Sequence, residues 1–336
     1  MVSGDRVKVL VTGATGFIGG HLVEDLHNRG YSVIAMARKT SNISRLKELG
    51  LEIRYADLTD PPSLVEATKG VDAVVHLAAY YTFHGKKELY WKVNVEGTRS
   101  LIEACLKNGV TRFIYCSTTE AVGPVKNPPA TEDVEPNPTY EYGRSKLAAE
   151  RIVRSYGEKG LKYTILRPSG VYGPRNVNDV SYWFITGFAK KALWSYFIVG
   201  SGDTLIQFVH VKDVVQGFRL ALEKEISIGQ TYFITEDRAY TYNEVYQILA
   251  DIVGREPPKI HISPVLAKLM MFPVEVAYKV LGKENFMWHV STVDAVTQHR
   301  AYNIEKAKRE LGYRPRYDLR TGLRETVEWY KQHGYI

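Results

Sequence analysis

The sequence predicts an α/β protein: a doubly wound parallel sheet joined to a smaller C-terminal part that interleaves with it. Three observations carry this. Apolar runs alternate with stretches of helical spacing through the first half of the chain. The first run breaks at glycines three apart, Gly13, Gly16 and Gly19. Beyond Arg167-Pro168 the alternation loosens into aromatic-rich segments.

Val7 to Val11 reads as a buried strand, and His21-Leu22-Val23 with Leu26 continues at helical spacing after the glycines. Strand, glycine turn and helix in that order make a phosphate cradle, because glycine lets the backbone approach a pyrophosphate and a helix N-terminus offers unpaired N–H groups. This is the opening of a Rossmann-type fold, with GxxGxxG spacing in place of the commoner GxGxxG. The expected ligand is a dinucleotide.

Ser32 to Ala37 is the second strand. An acid at its end would accept from a free ribose 2′-hydroxyl, whereas here Arg38 and Lys39 follow. Two cations favour NADP; read as plain surface charges, they leave NAD possible. Leu51 to Ala56 is the third strand, with Asp57-Leu58 at its end and Asp60-Pro61 as an expected helix N-cap with proline at the first position. Asp57 either shapes that turn or faces ligand. Ala73 to Leu77 is the fourth strand, and the small residues Ala78-Ala79 let the backbone approach a flat ligand. Leu89 to Lys107 reads as a helix in which Asn94 either ties helix to sheet or lines the site.

Arg112 to Cys116 is the fifth strand, running into Ser117-Thr118-Thr119-Glu120. A proline-rich loop, Pro124 to Pro138, leads to a helix from near Tyr140, and Lys162 to Arg167 is the sixth strand. Further on, Tyr182 to Trp194 is expected to be helical, Gln207 to Val211 and Thr231 to Thr235 to be short strands, and Asn243 to Val253 and Ile304 to Leu311 to have helical spacing. We assign 1–172 to the dinucleotide-binding domain, with 206–235 returning to it, and 173–205 with 236–336 to substrate binding.

Composition fits a globular chain: 336 residues, 45% hydrophobic and 24% charged. The net charge of +7 suits phosphates or an anionic surface, but the cations are scattered and no nucleic-acid motif is present, so no nucleic-acid partner is expected. Cys105 and Cys116 form no ligand cluster, so no metal is expected, and a reducing, cytoplasmic setting fits. A core strand starts within seven residues, which leaves no room for a signal peptide. No apolar run approaches the length of a membrane-spanning helix.

Tyr142 and Lys146 stand four apart and share a helix face. A phenol titrates near 10, and bringing it toward 7 takes roughly 4 kcal/mol of differential stabilisation. A neighbouring ammonium and a cationic nicotinamide are the expected source. Thr118 is placed to hydrogen-bond the same substrate oxygen.

These stretches together resemble the extended short-chain dehydrogenase/reductase superfamily, in its NAD(P)-dependent epimerase/dehydratase branch. The carriers are TGATGFIGG, Asp57-Leu58, HLAA, NVEGT, STTE, YGRSK, RPSGVYGP, QFVHVKDV and LGYRP, spanning nearly the whole chain. The resemblance implies that Tyr142 is the acid/base, that Lys146 binds the nicotinamide ribose and tunes Tyr142, and that Thr118 is the third catalytic residue. The expected cofactor-binding set is Gly13, Thr15, Gly16, Phe17, Ile18, Arg38, Lys39, Asp57, Leu58, Leu77, Ala78, Ala79, Asn94, Cys116, Tyr142, Lys146, Pro168, Gly170 and Val171. Asp57 is the implied adenine contact.

The resemblance leaves the substrate open. Glu120 matches a glutamate that serves as base in relatives acting on nucleotide sugars; its plain alternative is a turn residue or salt-bridge partner. Many such relatives grip a diphosphate with Asn and Arg where this chain has Gly170 and Ile206, although Arg175 or Arg309 could substitute. The aromatic segments Tyr182-Trp183-Phe184, Trp194, Tyr196-Phe197 and Phe286-Met287-Trp288 suit a bulky apolar substrate such as a steroid or flavonoid, or are core. Ser263 to Leu281 either lies on a membrane surface, covers the pocket, or forms a packed helix pair kinked at Pro273, the reading preferred here. The expectation is a reductase or dehydrogenase on a small-molecule substrate. A nucleotide-sugar epimerase or dehydratase is the second reading and a cofactor-sensing regulatory protein the third. A homodimer through the helices at Leu89 to Lys107 and Tyr140 to Tyr156 is expected by analogy.

Overall fold

The computed structural model describes residues 7–82, 86–281 and 290–336. Six strands come first: β1 (Lys8–Thr12), β2 (Ser32–Ala37), β3 (Glu52–Tyr55), β4 (Ala73–His76), β5 (Arg112–Cys116) and β6 (Lys162–Pro168). The chain then leaves through β7 (Gly170–Tyr172), β8 (Phe197–Val199), β9 (Leu205–Ile206) and β10 (Phe208–His210), and returns with β11 (Gln230–Ile234). These build a seven-stranded parallel sheet in the order β11-β6-β5-β4-β1-β2-β3.

Both faces of the sheet are covered, which is why β1 reads as an unbroken apolar run. Val9 and Val11 point to the face packed by Leu22, Val23 and Leu26 of α1 (Phe17–Asn28), with Val214, Val215 and Phe218 on the same side. Leu10, Ile34 and Val74 point the other way, against α3 (Pro61–Ala67), α5 (Gly97–Lys107) and α6 (Glu141–Gly157). Short α2 (Ser44–Glu48) and α4 (Lys87–Leu89) complete the helices of this half. The strand order reverses between β1 and β4, so their carboxyl ends open a crevice.

Helix α8 (Val211–Glu223) lies on the sheet beside α1, and the second lobe is built on α7 (Val180–Ala189), β12 (Tyr240–Thr241), α9 (Tyr242–Val253), β13 (Ile260–Ile262), α10 (Pro264–Val280), α11 (Val290–Thr297) and α12 (Leu319–Gln332). Its core gathers Tyr172, Phe188, Tyr246, Leu249, Leu323 and Tyr330, with Tyr182, Phe184 and Trp194 packed against it. Of the aromatics singled out in the sequence, Tyr182, Phe184 and Trp194 therefore pack on the core, while Trp183 and Tyr196 are exposed. Phe286-Met287-Trp288 lie outside the described residues.

A strap at 299–303 joins the lobes. Val125 N donates to His299 O at 2.8 Å and Ala130 N to Ala301 O at 2.9 Å, while Arg300 N donates to Leu205 O at 2.7 Å and Tyr302 N to Gln207 Oε1 at 2.7 Å.

Three local expectations are corrected. Asp60 occupies the N-cap position of α3, but its side chain makes no capping bond; its carbonyl takes Ser63 N, and proline at N1 leaves fewer donors to cap. The helix expected over Leu89 to Lys107 contains a π segment, Tyr90–Glu96, whose extra residue per turn aims Asn94 inward. The helix expected to reach Trp194 ends at Ala189, where Lys190 and the left-handed Lys191 (φ 57°) turn the chain into a short 3-10 stretch.

Candidate active site

The cradle explains its own glycines. Gly13 sits at φ 70°, and a Cβ there would stand 2.8 Å from Ala78 N. A Cβ on Gly19 would stand 2.1 Å from Gly13 O, so the first turn of α1 lies directly on the loop. Gly16 begins α1 with no side-chain cap and no acid in the first turn, which leaves the positive helix end facing the crevice. Thr15 and Gly16 are exposed there, with Phe17 and Ile18 half-buried behind them. An anionic pyrophosphate fits this surface.

A buried chain of hydrogen bonds fixes the opposite wall. Thr12 Oγ1 accepts from Leu77 N and Ala78 N, both at 3.1 Å, and donates to His76 Nδ1 at 2.7 Å. His76 Nε2 then donates to Thr98 Oγ1 at 3.0 Å, and Thr98 donates to Asn94 O at 2.7 Å. Burial first, and Lys146 second, push His76 down to about 3, so it stays neutral and keeps this one tautomer. Asn94 continues the brace: Oδ1 takes Tyr80 N at 2.7 Å, and Nδ2 donates to Tyr80 O and Ser145 Oγ, each at 3.0 Å. It ties the Leu77-Ala78-Ala79 turn to α6.

At the far end of the crevice Arg38 and Lys39 are exposed after β2. Asp57 accepts from Thr59 N at 2.8 Å and from its hydroxyl at 2.7 Å; these bonds, with Arg38 and Lys92 nearby, hold its carboxyl below the usual range. Leu58 is buried under α5.

Helix α6 brings the expected catalytic pair to the crevice. A Cβ on Gly143 would lie 2.2 Å from Glu120 O, so the first turn of α6 packs directly on the turn after β5 and sets Tyr142 near Cys116 and Glu120. Thr118 Oγ1 accepts from Glu120 N at 3.2 Å. Lys146 is 3% exposed, its Nζ 4.2 Å from the centre of the Tyr115 ring, and burial lowers it to about 8. Cys116 is buried and held up, to about 11, despite Lys146. Below these groups Glu150 accepts from Arg167 Nε at 2.9 Å and Nη2 at 2.7 Å and from Ser117 Oγ, a buried ion pair that locks the ends of β5 and β6. Pro168, half-buried Val171 and exposed Gly170 follow on.

The family model of the NAD dependent epimerase/dehydratase family matches residues 9–235. The chain belongs to this family. The resemblance read from the motifs is borne out, and with it the Rossmann fold and an NAD-dependent enzyme. Sterol demethylase protein B of Methylococcus capsulatus is 31% identical over 98% of this chain and all of its own length. Sterol-4-alpha-carboxylate 3-dehydrogenase, decarboxylating, of Mus musculus is 30% identical over 96% of this chain and 90% of its own. A dTDP-glucose 4,6-dehydratase of Streptomyces venezuelae, solved with NAD bound, superposes with a TM-score of 0.78 at 26% identity, covering 97% of each chain.

The Tyr142 phenol is held well above its ordinary value, by burial first and then by Cys116, Asp179 and Glu120, so the downward pull expected of Lys146 and a cationic nicotinamide together has to overcome these. Its surroundings, as they stand, favour the neutral phenol, and a cation beside it is what would pull it down. The two residues offered as substitute phosphate grips are both engaged: Arg175 donates to His21 Nε2 at 3.0 Å and Glu24 at 3.1 Å, and Arg309 to Glu310 at 2.8 Å.

The structure also adds residues that sequence reading missed. Arg300, 7% exposed, donates from Nε to Glu120 Oε1 at 3.0 Å, so Glu120 is an ion-pair partner here. Tyr81 lies edge-on to Tyr142 with ring centres 4.7 Å apart and bonds to the half-buried Asp179 at the start of α7. Arg300 comes from a strap and Asp179 from the other lobe; neither lies in a stretch whose spacing marks it. His76 could have been found, as the histidine of HLAA.

Proposed function

We propose that this enzyme is a dehydrogenase or reductase that moves a hydride at a secondary alcohol or ketone carbon of a bulky apolar substrate of steroid size. The observation that carries the reading is Tyr142 and Lys146, one helical turn apart on α6, at the crevice between the cradle and the second lobe. The substrate class is supported by the sterol-acting relatives. It is supported also by Gly170 and Ile206: Gly170 packs on Phe208, and Ile206 pairs with Tyr240 in an apolar cluster, so neither position offers a phosphate grip.

The cradle glycines and the open end of α1 would hold the pyrophosphate, and Lys146 the ribose. The bound nicotinamide supplies a hydride acceptor or donor. Thr118 donates to the substrate oxygen, and Tyr142 takes or returns the proton of that oxygen. Buried Lys146 keeps a positive charge below pH 8, and this favours the phenolate once the proton moves. Arg38 and Lys39 support the phosphate-bearing form, NADP, while Asp57 beside Arg38 softens that preference.

The test is thermal stabilisation and nicotinamide absorbance with NADP, NAD, hydroxysteroids and nucleotide sugars. The expected result is turnover of a hydroxysteroid, stronger with NADP, and its loss in Tyr142→Phe with cofactor binding kept. Surviving activity in that variant, or stabilisation by a nucleoside diphosphate sugar alone, overturns the reading.

A further inference from the structure

Helix α10 wears its apolar side outward. Val265, Leu266, Leu269, Met270, Phe272, Val276 and Val280 are all more than 40% exposed, Val280 reaching 81%. At about 100° per residue they span roughly 160° of the helix circumference, and no charged residue falls within that arc. Lys268 and Glu275 lie along one edge of it, and the helix packs on α11. A surface helix of a globular protein has the reverse pattern. Apolar exposure continues past the N-terminal end of α10. Ile260 of β13 is 53% exposed, and β13 pairs with β8, next to Tyr196 at 43% and Leu193 at 70%.

The same end is cationic. A cleft of about 750 Å³ is lined by Lys191, Tyr196, Arg255, Lys259 and Ile260. Its acids are already engaged, Asp251 with Arg320 at 2.8 Å and Glu256 with Lys259 at 3.0 Å. Among the described residues Lys190 and Lys191 are exposed and in no ion pair, while half-buried Arg255 donates to Phe188 O and to Ser195 Oγ at 2.9 Å. No helix among the described residues is long and apolar enough to cross a membrane.

We propose that α10 docks this enzyme flat on an anionic lipid bilayer, its apolar arc among the acyl chains and the exposed Lys190 and Lys191 against the headgroups. An uncharged arc lined along one edge by charge, with cations at one end, matches a surface that is greasy below and anionic above. The docking needs only this surface. Its use, taking a water-insoluble substrate from the bilayer, rests on the function proposed above.

The experiment is vesicle flotation of the full chain with phosphatidylcholine alone and with phosphatidylcholine carrying phosphatidylglycerol. The variants are Leu269→Glu/Phe272→Glu and Lys190→Glu/Lys191→Glu, all at exposed positions. Expected is flotation with the anionic vesicles, weakened about tenfold or more by either pair and by salt for the wild type. Cofactor-induced thermal stabilisation stays unchanged in every variant, which separates this test from that of the function. Flotation equal in wild type and the Leu269/Phe272 variant overturns the proposal. So does a concentration-dependent dimer that this variant abolishes, since the arc would then belong to a second copy.

Discussion

Glu236 is a carboxyl held against its nature. It follows β11, is 1% exposed, and accepts from Tyr172 Oη at 2.9 Å through Oε1, while Oε2 has no partner among the described residues. Burial pushes it up to about 8. The folded chain therefore binds a proton that the unfolded chain gives up near 4.5, and stability falls as pH rises through that window, by at most about 1.4 kcal/mol per pH unit. Glu236→Gln is a neutral isostere. It is expected to leave the thermal midpoint near the wild-type value at pH 5 and to raise it increasingly toward pH 8. A constant difference across that range would show that Glu236 titrates normally. His76 works with the opposite sign, its neutral form stabilising above 6.5 and that stability fading as pH falls toward 3.

Among elements, the turn from β1 into α1 is the tightest contact in the crevice. Gly19→Ala would press a methyl to 2.1 Å of Gly13 O, and the loop or the helix must move. We expect a loss of about 1–3 kcal/mol in denaturant unfolding together with loss of NAD-induced stabilisation. Gly30→Ala is the control: φ is 86° but nothing lies within 4 Å, so it is expected to cost about 1 kcal/mol and spare cofactor binding. Cofactor stabilisation retained in Gly19→Ala would mean the cradle tolerates displacement.

These elements were legible because their signals are local. Ser32–Ala37 and Arg112–Cys116 are strands to the residue, since buried parallel strands are short apolar runs with glycine or helix signals on either side. The π segment over Tyr90–Glu96 was not legible, because its pitch is set by Asn94 reaching Tyr80 and Ser145, contacts with other parts of the chain. The site divides the same way. Tyr142 and Lys146 lie on one helix and show as a spacing, whereas the Arg300–Glu120 pair joins positions 180 residues apart. The ionisation of Tyr142 depends on everything packed around it, so a spacing could suggest its partner but not the sign of the sum.

On the scale of the whole molecule, the 299–303 strap is threaded between the two lobes and pinned by one ion pair. Arg300 is nearly buried and Glu120 is 30% exposed, so part of the attraction is screened. Arg300→Met leaves Glu120 without its partner and is expected to lower stability by about 2 kcal/mol and to reduce turnover. Adding Glu120→Gln is expected to restore much of the stability, measured as coupling in a double-mutant cycle. Additive losses would mean that backbone bonds alone hold the strap.

Strand β11 has a consequence for how the protein is made. Its neighbour β6 is complete at Pro168, yet β11 begins only at Gln230, after an excursion through the other lobe. While synthesis runs between those points the nascent sheet shows a raw border, a row of open amides and carbonyls along Thr164 to Pro168. A ribosome stalled in that interval would present a sticky template to its neighbours, and a gene cut there would give a product prone to clumping.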